Sequence, residues 1–462
     1  MCSPNDPWKA RTAAEAGWHV SRYNISASVP GTSMTAMVNL FKGTCAAYTP
    51  LEMGMLPLVG ELDECHPLVD RFARRGVIAN FDERAALEAM GRMACAGARG
   101  VELTICPTMG CNFDCPYCFE DHGRSKMSAE VQDDVVALAT HMVDFSRASH
   151  LAITWFGGEP LLAADVIESL SQRLMALADE RGFTYAAVIV TNGYLLTQDV
   201  TNMLARCGVG CAQVTLDGIG PTHDATRRLV GGGPTFERIV HNLRDVRIPF
   251  RVNVRHNVHE GNLDQMDALE KLVGRLAHES GNDLRYYPSP VTGSEAADRR
   301  GEQVGLLRGE CAGKVSLRES ASHFRAGRGY VCGAHSLYNV GIDDEGRLQK
   351  CWESIDKPAY SFGTAHDWDP ANPLATASNP NNLTMFLNTA APVDDDECRA
   401  CVWLPLCVGG CPYRRLTGSR TCLTFKDDPQ GYVLALYSRM TAKTSESREP
   451  RDERTRDRRG GH

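Results

Sequence analysis

Between residues 100 and 290, short apolar segments alternate with longer segments of helical period, and this limits the chain more than any other feature. Segments 101–105, 151–156, 185–191, 211–216, 250–257 and 284–287 read as strands, each a brief apolar run. Helical patterns at 128–145, 163–179, 197–205, 235–246 and 262–276 lie between most of them. A helix between two strands carries the chain back over the sheet, so the strands pair in parallel through right-handed crossovers. Six such strands predict an α/β fold, a partial (β/α)6 TIM-like barrel with its chemistry at the carboxyl ends of the strands.

The flanks read differently. Within 1–99, segments 21–30 and 35–49 suggest a hairpin with Gly43 near a turn, followed by helical patterns at 66–75 and 82–96, the second capped by Asp82. Strands followed by short helices suit a winged-helix-like α+β docking module; a cover packed on the barrel has the same pattern. The barrel is expected over 100–300. Residues 301–442 are rich in cysteine and show little helical period before 431–442, and 443–462, nearly devoid of apolar side chains, reads as a disordered tail.

The net charge of −8 argues against a nucleic-acid partner, which usually meets a basic face. Apolar runs are too short for a membrane span, and the N-terminus lacks the basic-then-apolar order of an export signal. A cytoplasmic location is the expectation. There, 18 cysteines are better explained by metal or catalysis than by disulfides.

The tightest cysteine group follows the first strand: Cys111-Asn112-Phe113-Asp114-Cys115-Pro116-Tyr117-Cys118. Three thiolates at CxxxCxxC spacing on one loop ligate three irons of a [4Fe–4S] cube and leave the fourth open to a small molecule. A zinc site needs a fourth ligand, which His122 offers. The spacing, the aromatic Tyr117 before the last cysteine, the Trp155-Phe156-Gly157-Gly158-Glu159-Pro160 segment after strand two and Asp217 after strand four together resemble the radical S-adenosylmethionine family.

That resemblance implies a cluster on Cys111, Cys115 and Cys118 whose open iron is chelated by S-adenosylmethionine. Reductive cleavage then gives a 5′-deoxyadenosyl radical, which takes hydrogen from an unactivated C–H bond. Gly157, Gly158, Glu159 and Pro160 match the segment that receives the amino group, through exposed carbonyls or Glu159. Thr191 and Asn192 after strand three, with Thr215 and Asp217 after strand four, would line the ribose and methionine side. Arg227 would pair with the carboxylate, and Tyr117 completes the cofactor-binding set.

Downstream lie Cys332, Cys351, then Cys398-x2-Cys401-x5-Cys407-x3-Cys411 and Cys422. This order resembles the SPASM module, a C-terminal iron–sulfur domain carrying two auxiliary [4Fe–4S] clusters, three in all with the first. By resemblance Cys398, Cys401, Cys407 and Cys422 hold the outer cluster, and Cys411 joins Cys332 and Cys351 on the inner one. Cys311 is the candidate for the missing ligand; otherwise one iron stays open. The remaining Cys2, Cys45, Cys65, Cys95, Cys106, Cys207 and Cys211 read as small core hydrophobes.

SPASM enzymes act largely on peptides and proteins. Sulfatase-maturing members carry an aspartate base directly after the second SPASM cysteine, where this chain has Trp352 followed by Glu353. The Lys350-Cys351-Trp352-Glu353 segment looks instead like peptide-crosslinking maturases. The expected enzyme is a maturase of a ribosomally synthesised precursor peptide, forming a thioether or carbon–carbon crosslink and fed by a one-electron donor such as flavodoxin or ferredoxin. The alternatives are formylglycine formation on a sulfatase, and a non-enzymatic iron–sulfur or zinc-binding protein. No residue identifies itself as the catalytic base; Glu353, Asp217 and Tyr287 are polar groups placed to face the cavity.

Overall fold

The computed structural model describes residues 12–96, 100–123, 125–291, 315, 332–390, 395–418 and 422–446. Among them, residues up to Glu83 group with those from Phe425 onward in one compact unit, and those between form a second.

In the first unit, β1 (His19–Val20) pairs antiparallel with β5 (Ile78–Ala79), while β2 (Asn24–Ser28), β3 (Thr35–Asn39) and β4 (Thr44–Tyr48) form an antiparallel meander. The turn expected near Gly43 separates β3 from β4. Asn39 ends β3 with its side-chain oxygen accepting the backbone N–H of Lys42 at 2.7 Å, which closes the turn. Helices α1 (Pro50–Met55) and α2 (Pro67–Arg75) follow. Thr49 starts α1 through a reciprocal capping box with Glu52, and α2 ends at Gly76, whose φ of 72° is left-handed. Met37, Tyr48, Val69, Phe72 and Ile78 make the core of this unit. The helix Pro429–Glu446 packs on β2 and β3 with Tyr432 and Val433 buried, so it belongs with this sheet although the sequence pattern placed it beside the cysteine-rich segment. It runs past the expected start of the disordered tail, and residues 447–462 lie outside the described residues.

After α3 (Glu83–Ala96), the second unit alternates as expected: β6 (Val101–Ile105), α4 (Ala129–Ser146), β7 (His150–Trp155), α5 (Ala164–Arg181), β8 (Thr184–Thr191), α6 (Gln198–Arg206) and β9 (Val209–Thr215). Then come α7 (Pro221–Thr226), α8 (Phe236–Asp245), β10 (Arg251–Val258), α9 (Met266–Ser280) and β11 (Leu284–Pro290). Strands β6 to β11 lie in chain order and all pair in parallel, as a partial barrel requires. Leu103, Ile105, Ile153, Trp155, Ile189, Val214 and Val254 are buried between this sheet and the helices. Ser128 and Thr197 begin α4 and α6 by accepting the N–H groups of Val131 and Val200.

The sheet extends beyond the six expected strands. β12 (Asn339–Ile342) joins β6 in parallel, and β13 (Arg347–Gln349) and β14 (Gly363–Thr364) follow in antiparallel order. The first part of the cysteine-rich segment thus continues the central sheet. Among the described residues no helix is long and apolar enough to cross a membrane.

Candidate functional site

The loop that leaves β6 carries Cys111, Cys115 and Cys118, and the end of β7 holds it in place. Glu159 N donates to Gly110 O at 2.8 Å. A Cβ on Gly158 would sit 2.3 Å from Gly110 O and 2.5 Å from Met109 O, and Gly157 has a φ of 101° with its own Cβ position 2.5 Å from Thr108 O. The two glycines are therefore needed for the backbones to touch. Further ties run from Met109 N to Asp344 Oδ2 (3.1 Å), Asp114 N to Arg228 O (2.9 Å) and Val230 N to Asn112 O (2.9 Å).

None of the three cysteines is in a disulfide. Burial pushes Cys111 up to about 12 and Cys118 well upward, and both feel the charge of Cys115. Such thiols ionise only against strong positive charge, as metal supplies. Phe113 N donates to Cys111 Sγ at 3.4 Å, and the N–H of Glu120 donates to Cys118, so each sulfur meets the amide two residues on. Cys118, Glu120 and His122 are the one donor group among the described residues whose atoms lie within 4.8 Å of one another. Cys111 and Cys115 fall outside it. The three thiols are spread wider than a single zinc ion requires, and their donor set fits a cube ligated at its corners.

Glu159 is wholly buried, and its carboxylate binds three protein donors: Leu161 N (3.0 Å), Thr191 Oγ1 (2.8 Å) and Asn192 N (2.7 Å). Burial raises its pKa despite these bonds. Pro160 opens the single turn that follows. Asn192 reaches back with Nδ2 to Asn112 Oδ1 at 2.7 Å. Glu159 thus joins the ends of β7 and β8, and Asn192 joins β8 to the cluster loop.

Tyr117, Asp217 and Arg227 are brought together. The Tyr117 hydroxyl donates to Asp217 Oδ2 and accepts from Arg227 Nη1 (2.8 Å) and Asn257 Nδ2 (3.3 Å). Arg227 lies over the Phe113 ring, 5.6 Å from its centroid. Thr226 Oγ1 also donates to Asp217 Oδ2, at 3.2 Å, and Asn262 Nδ2 donates to Asp217 O at 2.7 Å. Thr215 ends β9 opposite Arg255 of β10. Asp217 Oδ1 and Arg227 Nε are buried with no hydrogen-bond partner. A buried acceptor beside a buried cationic donor suits a ligand bearing both an anion and hydrogen-bond donors.

The downstream cysteines form two groups. Cys351 feels the charge of Cys332 and Cys411, and the amides of Ala334, Glu353 and Arg414 donate to Cys332, Cys351 and Cys411 in turn. Cys407 is pushed up to about 11 by burial and by the charges of Cys422, Cys398 and Cys401. Cys311 lies outside the described residues. Trp352 packs against Phe156 with centroids 4.8 Å apart and ring planes tilted by 33°, and donates Nε1–H to Thr104 Oγ1 at 2.8 Å. Tyr287 bonds Gln213 at 2.5 Å, and Glu353 faces Arg414 at 3.4 Å.

Sequence reading missed several participants. Arg415 clamps the outer group through Cys398 Sγ (3.5 Å), Gly409 O (3.1 Å) and Asp395 (3.2 Å). Asn257, Asn262 and His223 hold Asp217 or its neighbour, with His223 Nδ1 accepting Asp217 N at 3.1 Å. Glu120 is pushed up to about 8 by burial and by Asp356. Asn257, Asn262 and Glu120 depend on partners far away in sequence, and His223 and Arg415 on side-chain bonds that no period marks, so no local pattern announces them. Of the cysteines read as core, Cys45, Cys106 and Cys207 are buried, but Cys65 is exposed and disulfide-bonded.

Residues 105–273 match the profile of the radical SAM superfamily. The chain is 28% identical over 174 residues to the Fe-coproporphyrin III synthase of Methanosarcina barkeri, covering 36% of this chain and 39% of that protein. It is 22% identical over 370 residues to a cysteine-type anaerobic sulfatase-maturating enzyme of Clostridium perfringens, covering 71% of this chain and 91% of the relative. The chain thus spans less than half the length of the first of these relatives and most of the second. Among solved structures, native anSMEcpe with bound AdoMet and Cp18Cys peptide aligns with a TM-score of 0.55 at 17% identity, over 75% of this chain and 99% of that one. This likeness is one of fold.

Proposed function

Because residues 105–273 form a radical S-adenosylmethionine domain, which implies a [4Fe–4S] cluster and S-adenosylmethionine, we propose that the chain is a maturase that oxidatively crosslinks a ribosomally synthesised peptide. The observation that carries this reading is the gathering of cysteines into three groups: Cys111, Cys115 and Cys118; Cys332, Cys351 and Cys411; and Cys398, Cys401, Cys407 and Cys422. Three groups match one catalytic and two auxiliary clusters, with 301–442 as a SPASM domain. Similarity to a sulfatase-maturating enzyme, running well beyond the radical domain, favours a polypeptide substrate.

When bound, the first cluster and S-adenosylmethionine supply a radical able to remove a hydrogen atom from a carbon of the peptide. Around them, the chain's residues orient and enclose. Gly157 and Gly158 press the β7 end against the cysteine loop. Arg227 offers Nε to the cofactor's carboxylate, and Asp217 offers Oδ1 to a donor group. As a carbon–sulfur or carbon–carbon bond forms, the peptide loses two hydrogens: one goes to 5′-deoxyadenosine, the other leaves as a proton. Cys332, Cys351 and Cys411, with Cys398, Cys401, Cys407 and Cys422, would hold the auxiliary clusters, which would supply an acceptor for the remaining electron. The N-terminal sheet docks the leader of the precursor by strand addition.

Formylglycine formation is the second reading, favoured by the length of that same similarity. Against it stands Trp352, whose indole N–H is committed to Thr104 and whose ring packs against Phe156 where a proton acceptor is wanted. The test is anaerobic reconstitution, S-adenosylmethionine cleavage under dithionite, and mass spectrometry with a precursor peptide encoded beside the gene and with a sulfatase-motif peptide. Loss of two hydrogens from the first substrate supports the proposal. Conversion of the second alone supports formylglycine formation, and cofactor cleavage that changes neither peptide counts against both.

A further inference from the structure

We propose that Tyr117 is a positioning residue: its hydroxyl is a spacer that keeps Arg227 from collapsing onto Asp217 and aims the guanidinium at the carboxylate of S-adenosylmethionine. This rests on the reading of the site given above and assigns one side chain a task within it.

Tyr117 lies between Cys115 and Cys118, so two cluster ligands fix its backbone. Its hydroxyl has one hydrogen and two lone pairs. The three partners fix their use: guanidinium Nη1 and amide Nδ2 only donate, so both lone pairs receive Arg227 and Asn257, and the hydrogen goes to Asp217 Oδ2. A cation and a carboxylate are thus held on opposite sides of one oxygen. Arg227 feels the charge of Asp217, and the Tyr117 oxygen bonds both.

Arg227 is held at two further points, one on its side chain and one on its backbone. Its guanidinium lies over Phe113 of the same loop, and its backbone N–H bonds His223 O at 2.8 Å. Nε is buried and without a partner. A buried cationic donor left over in this way marks where an anion completes the structure. The aim of that donor is set by Tyr117 and Phe113, both carried by the cluster loop, so the loop that holds iron also sets where a carboxylate binds. Remove the hydroxyl and Arg227 Nη1 loses its acceptor while Asp217 Oδ2 keeps only the Thr226 hydroxyl, so the direct Arg227–Asp217 pair becomes the lower-energy arrangement.

The experiment measures binding of S-adenosylmethionine and of decarboxylated S-adenosylmethionine to reconstituted enzyme by equilibrium dialysis, with iron content as a control. The chains compared are wild type, Tyr117→Phe, Arg227→Ala and the double variant. Tyr117→Phe is expected to keep its iron and bind S-adenosylmethionine about tenfold more weakly, the scale of one charge-assisted hydrogen bond, while the decarboxylated analogue changes less than about twofold. Arg227→Ala should already contain this loss, so that adding Tyr117→Phe to it changes little. Equal weakening of both ligands, unchanged binding of S-adenosylmethionine, or additive losses in the double variant would overturn the proposal. Failure of the wild type itself to bind S-adenosylmethionine would instead overturn the functional reading on which it rests.

Discussion

Glu159 at the end of β7 accepts the backbone N–H of Asn192 at the end of β8, 2.7 Å away, inside a pocket where the carboxylate is wholly buried. The acidic residue of the Gly-Gly-Glu-Pro segment therefore works as a strut between strands. Glu159→Gln keeps the shape but turns an amide N–H₂ toward donors that need an acceptor. The expected cost is about 1–3 kcal/mol of stability, read as a lower urea midpoint. An unchanged midpoint would show that the carboxylate does not hold the strand ends.

Gly158→Ala places a methyl within 2.5 Å of two backbone carbonyl oxygens of the cysteine loop, at Gly110 and Met109. Neither carbonyl can swing away as a flexible side chain does. A loss of about 1–3 kcal/mol is expected, the usual cost of overpacking, together with lower iron retention on the catalytic loop. Thermal unfolding and iron analysis after reconstitution check both.

Replacing Cys111, Cys115 and Cys118 together by alanine should lower iron from about twelve to about eight per chain and abolish 5′-deoxyadenosine formation. Zinc without iron, or iron unchanged by the substitutions, would refute the cluster assignment.

Arg415→Leu removes the guanidinium that bridges Cys398, Gly409 and Asp395. Iron is expected to fall by about four per chain through loss of the outer group, with S-adenosylmethionine cleavage retained. Loss of cleavage along with the iron would place the outer group in the cleavage step itself.

His223 and His256 are both buried and both pushed down to about 4, chiefly by burial. Asp217 and Asp224 pull His223 up while Arg227 and His256 push it down, and His256 is pulled up by Asp217 and pushed down by His259. Their folded values lie below the ordinary 6.5, so between about 6.5 and 4 the unfolded chain binds more protons. The stability they allow is complete above that window and lost as pH falls through it. At pH 5 each should cost about 2 kcal/mol. Urea titrations at pH 7 and pH 5 test this; His223→Gln should lessen the difference between them.

The barrel was legible in sequence because each of its strands is a local event. The apolar run expected at 185–191 is β8 (Thr184–Thr191), and that at 284–287 is the start of β11 (Leu284–Pro290). Strands β12, β13 and β14 have 4, 3 and 2 residues, too short to show a period, and they form only because β6 offers β12 an edge some 230 residues away in sequence. The turn within 35–49 was legible at Gly43, which lies between β3 and β4 with a φ of 70° and donates its N–H to Asn39 O at 2.9 Å. The spacing of the cysteines is a local feature as well. The Tyr117–Asp217 bond spans 100 residues, and that of Arg227 to Tyr117 spans 110, so their partnership exists only in the folded chain.

The packing of Pro429–Glu446 on β2 and β3 has a consequence for how the chain matures. The first unit is built from both ends of the described chain, with the entire second unit inserted between them. During synthesis, the insert has all its strands before the last helix of the first unit leaves the ribosome. The iron-binding part can therefore fold and take up metal while the N-terminal sheet still waits for its covering helix. A chain cut short before residue 429 would lose not the reaction centre but the helix that covers the sheet proposed to receive the peptide.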